Sequence, residues 1–128
     1  MATVILEKDL SCSAEKAWSL LADFTAPHKA FADVLTDARA EEGGRVVTFA
    51  NGAMIHEKLV TLDPARRRVV YSAYGGRFTH HSAAVQIVES GKGCRFVWII
   101  DLLPDDAEPL VRGLMQQGAE AFAKTAQG

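Results

Sequence analysis

Residues 94–126 read CRFVWIIDLLPDDAEPLVRGLMQQGAEAFAKTA, and the hydrophobic period changes inside them. From Cys94 to Leu103 the apolar residues alternate. Phe96, Trp98, Ile100 and Leu102 fall on one face, Arg95 and Asp101 on the other, which is the period of a strand. Beyond Asp105 and Asp106 the period becomes helical. Leu110, Leu114 and Phe122, with Val111, Met115 and Ala119, form one wide apolar stripe. The two aspartates can cap a helix, and Pro109 is tolerable only in a first turn. The spacing predicts a helix from about Asp106 to Ala126. Gly118 lies on or beside its stripe, where a missing side chain favours close packing on a strand over room for a ligand.

Working back toward the N-terminus, turn signals recur about every ten residues, as antiparallel strands require. Gly91-Lys92-Gly93 precedes the last strand, and Thr79 to Val88 forms the one before it. Gly75-Gly76 turns again, and Arg68 to Tyr74 is rich in β-branched and aromatic residues. Asp63-Pro64 and Asn51-Gly52 mark two more turns, the second read as a two-residue hairpin loop. Between them runs a strand from about Met54 to Leu62. Gly43-Gly44 precedes the strand Arg45–Phe49. At the start, Val4, Leu6 and Leu10 share a face of a strand from about Thr3 to Leu10. Ser13 then reads as an N-cap, with Glu15 in the first turn and Ala14, Ala17, Trp18 and Leu21 as the buried stripe. Pro27 ends that helix, and a short second one is placed around His28 to Phe31. The expectation is one α+β domain over residues 1–128. A curved antiparallel sheet of six to seven strands wraps on a long C-terminal helix, with one or two short helices after the first strand.

Such a pairing of layers leaves a space between sheet and helix, suited to a small apolar molecule. Other partners fit less well. The net charge is −2, and Arg66-Arg67-Arg68, the only basic run, follows a turn. A phosphate-neutralising face is therefore not expected, and nucleic acid is excluded as the main partner. No stretch approaches the ~20 apolar residues of a membrane span, and the N-terminus does not read as a signal peptide. Cys12 and Cys94 have neither metal nor redox spacing, so reduced thiols and a cytoplasmic location are expected. His80 and His81, adjacent on a strand, point to opposite faces and cannot chelate one ion together. No metal and no cofactor is assigned. A second copy of the chain remains a candidate partner.

Strand parity nominates the residues that face the interior. Phe49, Tyr71, Val85 and Trp98 come from four strands, Leu114 and Phe122 from the helix. Together they are expected to line one space and contact a ligand. Tyr71 and Trp98 each carry a polar tip that needs a partner when buried, which either core packing or a ligand can supply. His81 shares the inward face of its strand and is a candidate acid or base, against the plainer reading of a solvated strand entrance.

The chain resembles the START-like, helix-grip superfamily known as SRPBCC, in its polyketide cyclase/dehydrase-like branch. The resemblance is carried by Ser13-Ala14-Glu15-Lys16-Ala17-Trp18, by Gly44-Arg45, by Asn51-Gly52 and the run on to Leu59, by Val70-Tyr71-Ser72 and by Phe96-Val97-Trp98. Phe31 departs from it, since members often carry tryptophan in the short second helix. The resemblance implies a hydrophobic-ligand cavity and places Glu57 facing inward. An inward Glu57 would sit in an apolar cavity, with Arg45 on the neighbouring strand as its natural partner. About a two-residue turn, residue 45 opposes residue 58, leaving Glu57 one step off register. Glu57 then reads either as an acid–base group or as half of a structural ion pair. Glu57, Tyr71 and His81 are the candidate catalytic set for cyclase or aromatase-like chemistry, and Arg45 joins the ligand contacts. The alternatives are a carrier without chemistry, or an interaction domain using an outer patch such as Val97, Ile99 and Ala84.

Overall fold

A computed structural model describes residues 1–128. Strand β1 (Ala2–Leu10) is followed by α1 (Ala14–Ala22) and the one-turn α2 (Pro27–Ala30). Six strands follow: β2 (Leu35–Glu41), β3 (Gly44–Phe49), β4 (Met54–Asp63), β5 (Arg68–Tyr74), β6 (His80–Ser90) and β7 (Gly93–Leu103). A 3₁₀ turn at Asp105–Ala107 leads into α3 (Glu108–Gln127). The strands form one curved antiparallel sheet in the order β1-β7-β6-β5-β4-β3-β2. Every neighbour in sequence is a neighbour in space except β1, which closes onto β7. No helix is long and apolar enough to cross a membrane.

Local chemistry explains most element boundaries. The Ser13 hydroxyl accepts from the Lys16 N–H at 3.1 Å, so the expected N-cap of α1 is in place. The start of α3 differs from expectation. Neither Asp105 nor Asp106 caps it; both fall in the 3₁₀ turn, and the N-cap position is Ala107. Leu110, assigned to the buried stripe, is 51% exposed, because the helix turns its Val111, Met115, Gly118 and Phe122 line to the sheet instead.

Two strand features depart from the sequence reading. Strand β2 is not individually expected from the sequence: in Thr36-Asp37-Ala38-Arg39-Ala40 only the small Ala38 and Ala40 alternate with charged residues, and it pairs only with β3, as an outer strand can. The loop after β3 has three residues, not two. Gly52 N–H donates to Phe49 O at 2.8 Å, Phe49 N–H donates to Ala53 O at 2.8 Å, and Gly52 alone takes positive φ, +91°. This is a type I turn closed by a glycine bulge. The extra residue moves the register by one, so Arg45 stands directly opposite Glu57.

The core is one continuous cluster drawn from every layer. Phe96 and Phe122 stack with centroids 4.7 Å apart, and Phe31 closes on both. Where β1 meets β7, Leu10 pairs with Cys94, and Cys12 comes close to the same thiol. Both cysteines are free. Burial, reinforced by Cys12, pushes the Cys94 thiol up to about 11, so it stays protonated and inert.

Candidate functional site

Between the middle of the sheet and the first half of α3 lies a cavity of about 100 Å³, with 14 hydrophobic residues among its 19 lining residues. Its half-buried members, including Phe49, Ile55, Phe78 and Leu114, belong to strand ends, the loop between β5 and β6, and α3, and mark its mouth. The polar lining residues are Arg45, Glu57, Tyr71, His81 and the Trp98 indole, from β3, β4, β5, β6 and β7 in turn. Five adjacent strands thus each contribute one polar side chain to a single wall.

The corrected hairpin register makes Arg45 and Glu57 a cross-strand pair. Arg45 Nε donates to Glu57 Oε1 at 2.7 Å, and Arg45 Nη1 donates to the Phe24 carbonyl at 2.8 Å. The guanidinium lies 4.0 Å from the Phe24 ring centroid and 4.9 Å from that of Tyr71. Stacking between two aromatic rings partly replaces the water lost on burial. Arg45 is 8% exposed and Glu57 9%. Only Oε1 of the carboxylate is engaged; Oε2 makes no hydrogen bond in the protein. Gly44 permits this arrangement. A Cβ there would come within 2.1 Å of the Glu57 carbonyl oxygen, so β3 and β4 meet this closely only with glycine.

His81 is 7% exposed, not a solvated strand entrance. Its Nδ1 accepts from the Ala73 N–H at 2.9 Å, which fixes the tautomer with the proton on Nε2. Burial, and the charge of His80, lower its pKa to about 4. The Ser72 hydroxyl donates to the His81 carbonyl and ties the same two strands. Phe78 packs on the His81 ring at 5.0 Å, and Tyr71 lies 6.2 Å away.

Burial holds the Tyr71 phenol above its ordinary value. Glu57 adds to the rise, while Arg45 and the indole N–H of Trp98 oppose it. That N–H influences the tyrosine hydroxyl but falls outside hydrogen-bond geometry, so Trp98 Nε1 is a buried donor without a partner. The indole itself rests against α3. A Cβ at Gly118 would stand 3.0 Å from its ring, so the packing reading of that glycine holds, although Gly118 also borders the cavity.

The expected lining set divides. Arg45, Phe49, Glu57, Tyr71, His81, Trp98 and Leu114 meet at this cavity. Val85 and Phe122 do not. Val85 faces a second, smaller cavity of about 20 Å³ beside α1, and Phe122 is sealed in the aromatic core. Both point inward as parity requires, but parity does not say where along the layer the space is left. Leu59, which shares a face of β4 with Glu57 by alternation, is 37% exposed, because a register shift between Leu59 and Thr61 interrupts that alternation. The sequence reading missed Phe24 and Phe78. Phe78, a large apolar residue just after Gly75-Gly76, carried a usable signal, since an aromatic in a turn needs cover. Phe24 carried none.

Comparison with known proteins agrees with this architecture. Residues 1–127 match the family described as polyketide cyclase / dehydrase and lipid transport. Among curated proteins no sequence matches. Among solved structures, a Bacillus thuringiensis protein superposes with a TM-score of 0.88 at 20% identity, covering 99% of this chain and 100% of its own. A Thermobifida fusca protein gives 0.77 at 26% identity, over 98% and 93%. Norcoclaurine synthase from Thalictrum flavum, in a point mutant bound to a transition-state analogue, gives 0.71 at 18% identity, over 98% and 93%. At such identities the first and last of these likenesses show the fold alone. The family match over nearly the whole length, on a seven-stranded sheet gripping one terminal helix, makes this chain a member of the polyketide cyclase/dehydrase and lipid transport family, within the START-like helix-grip superfamily.

Proposed function

We propose that the protein binds a small hydrophobic, cyclic or aromatic molecule in the cavity between the sheet and α3. The observation that carries this is a largely apolar space whose polar groups are gathered on one wall, the usual construction of a site that buries a ring and orients it at one end. The volume, about 100 Å³, is of the order of the ~150 Å³ engineered cavity that admits benzene. It suits one ring without movement of the walls.

Within this reading, carriage without chemistry is better supported than acid–base catalysis. The only lone pair of neutral His81 is occupied by the Ala73 N–H, and its pKa near 4 keeps it uncharged at neutral pH. It is therefore unsuited to act as a base or as an imidazolium acid. Tyr71 is held protonated by burial. Glu57 is the one group with a free acceptor oxygen, and cyclase or dehydratase-like chemistry would have to pass through it. An interaction role has less to stand on, since Val97, Ile99 and Ala84 are each half-buried.

Native mass spectrometry of the protein purified from its own source is the direct test. A co-purified small molecule, released by denaturation and absent from a variant with Leu114→Trp at the mouth, is the expected result. Recovery of the protein only as a complex with another polypeptide, its cavity empty, would overturn the reading.

A further inference from the structure

Within the binding role proposed above, we infer that the cavity selects an uncharged ligand bearing a carbonyl-type acceptor, which Tyr71 and His81 read as hydrogen-bond donors, and that it rejects carboxylates. The charge balance is the first ground. Arg45 is the only lysine or arginine on the cavity wall, and its charge is already matched. Glu57 matches it at 2.7 Å, a second N–H is held by the Phe24 carbonyl, and aromatic rings lie over the guanidinium at 4.0 and 4.9 Å. An entering anion would find no unmatched cation, and it would share the wall with the Glu57 carboxylate. Burying such a charge without a partner is strongly unfavourable.

The donors are the second ground. Because Nδ1 of His81 accepts from Ala73, the neutral ring presents only an N–H at Nε2, which has no partner in the protein. The Tyr71 hydroxyl also donates to nothing within the protein. The two rings lie 6.2 Å apart on adjacent strands of one wall. A carbonyl oxygen has two lone pairs and no proton, and accepts from two such donors without leaving a polar atom unmatched. A hydrocarbon of the same shape leaves both donors unpaired.

Three single-ring probes of similar size separate these cases at pH 7: acetophenone, ethylbenzene and benzoate. Binding is read from the Trp98 indole N–H resonance, assigned by difference with Trp18→Phe. Acetophenone is expected to bind the unmodified protein at least tenfold more tightly than benzoate. On Tyr71→Phe, the ratio of acetophenone to ethylbenzene affinity should fall about tenfold, ethylbenzene reporting any change of packing. Benzoate binding as tightly as acetophenone would overturn the selectivity while leaving the cavity as a binding site; so would an unchanged ratio in Tyr71→Phe. If none of the three probes moves the Trp98 resonance up to its solubility limit, the binding role falls as well. The comparison of acetophenone with benzoate needs no change at the wall, so it stands even where Tyr71→Phe folds poorly.

Discussion

The two ends of the layer between α3 and the sheet are built differently. At the C-terminal end of α3, Ala119, Ala123 and Ala126 are buried, and Phe122 fills the remaining gap against Phe96 and Phe31. Small side chains bring the helix close, and one large ring closes the interior to native density. At the N-terminal end, Val111, Leu114 and Met115 face Ile100, Tyr71 and Trp98 across open space. The same helix thus buries a stripe of constant period, yet one half is filled and the other is not. Hydrophobic pattern specifies which face is buried. Side-chain volume specifies whether the burial is complete.

The sharpest way to break this contrast is to shorten a side chain at each end. Phe122→Ala should cost about 4 kcal/mol in urea unfolding, the range for a buried aromatic that leaves a cavity. Leu114→Ala, at a site that is already open, should cost less than half as much. Equal losses would show that the two ends are equally packed.

Next in size is the ion pair, a polar contact set into the loose end. Glu57→Leu alone should destabilise by about 3 kcal/mol, since it leaves the buried Arg45 charge unmatched. Adding Arg45→Met should recover most of that loss. Glu57→Gln separates roles: a structural pair loses melting temperature and keeps ligand affinity, whereas a catalytic carboxylate loses turnover and keeps affinity.

A pH titration sharpens the comparison further. The folded pKa of His81, about 4, lies below its unfolded value, which is about 6.5. The folded state therefore binds fewer protons between these values. The contribution is present above pH 6.5 and is lost as pH falls toward 4, by on the order of 3 kcal/mol. In His81→Gln, whose amide oxygen can still accept from Ala73, that part of the slope between pH 6.5 and 4 should vanish. An unaltered slope would place the titration in the carboxylates instead.

The smallest expected effect lies at the boundary of the two ends. Gly118→Ala gains roughly 1 kcal/mol of helix propensity and loses a similar amount where its Cβ meets Trp98. Unfolding free energy should move by less than about 1 kcal/mol. The displaced indole should nevertheless weaken single-ring ligands, seen as a smaller shift of the Trp98 indole resonance on titration.

Much of this fold was legible because its signals are periodic. The alternation in β7 and the stripe of α3 required no tertiary information, and the order of turns placed six of the seven strands. Strand β2 was not legible, because an outer strand with Asp37 and Arg39 turned to solvent sets only the small Ala38 and Ala40 against them. Parity brought Tyr71, Trp98 and His81 to one wall. The contact of Arg45 with Glu57 was expected one step off register, since Asn51-Gly52 reads as a two-residue turn and the third loop residue shows only in the hydrogen bonds. The roles of Phe24 and of the Ala73 N–H were out of reach: each acts through a main-chain atom or a ring brought in by another element. The cavity's extent was equally hidden, being a deficit of volume and not a pattern.

Pro27, Phe31, Arg45 and Tyr71 border both the larger cavity and the smaller one beside α1. They form the partition between the two, in which Arg45 is clamped by the Phe24 carbonyl and by Glu57. The capacity of the interior is therefore set at a single wall and not by the curvature of the sheet. Exchange of Tyr71 for a shorter residue joins two chambers into one. A lineage that needs a longer guest can obtain it there by a single substitution, leaving every strand and the gripping helix where they are.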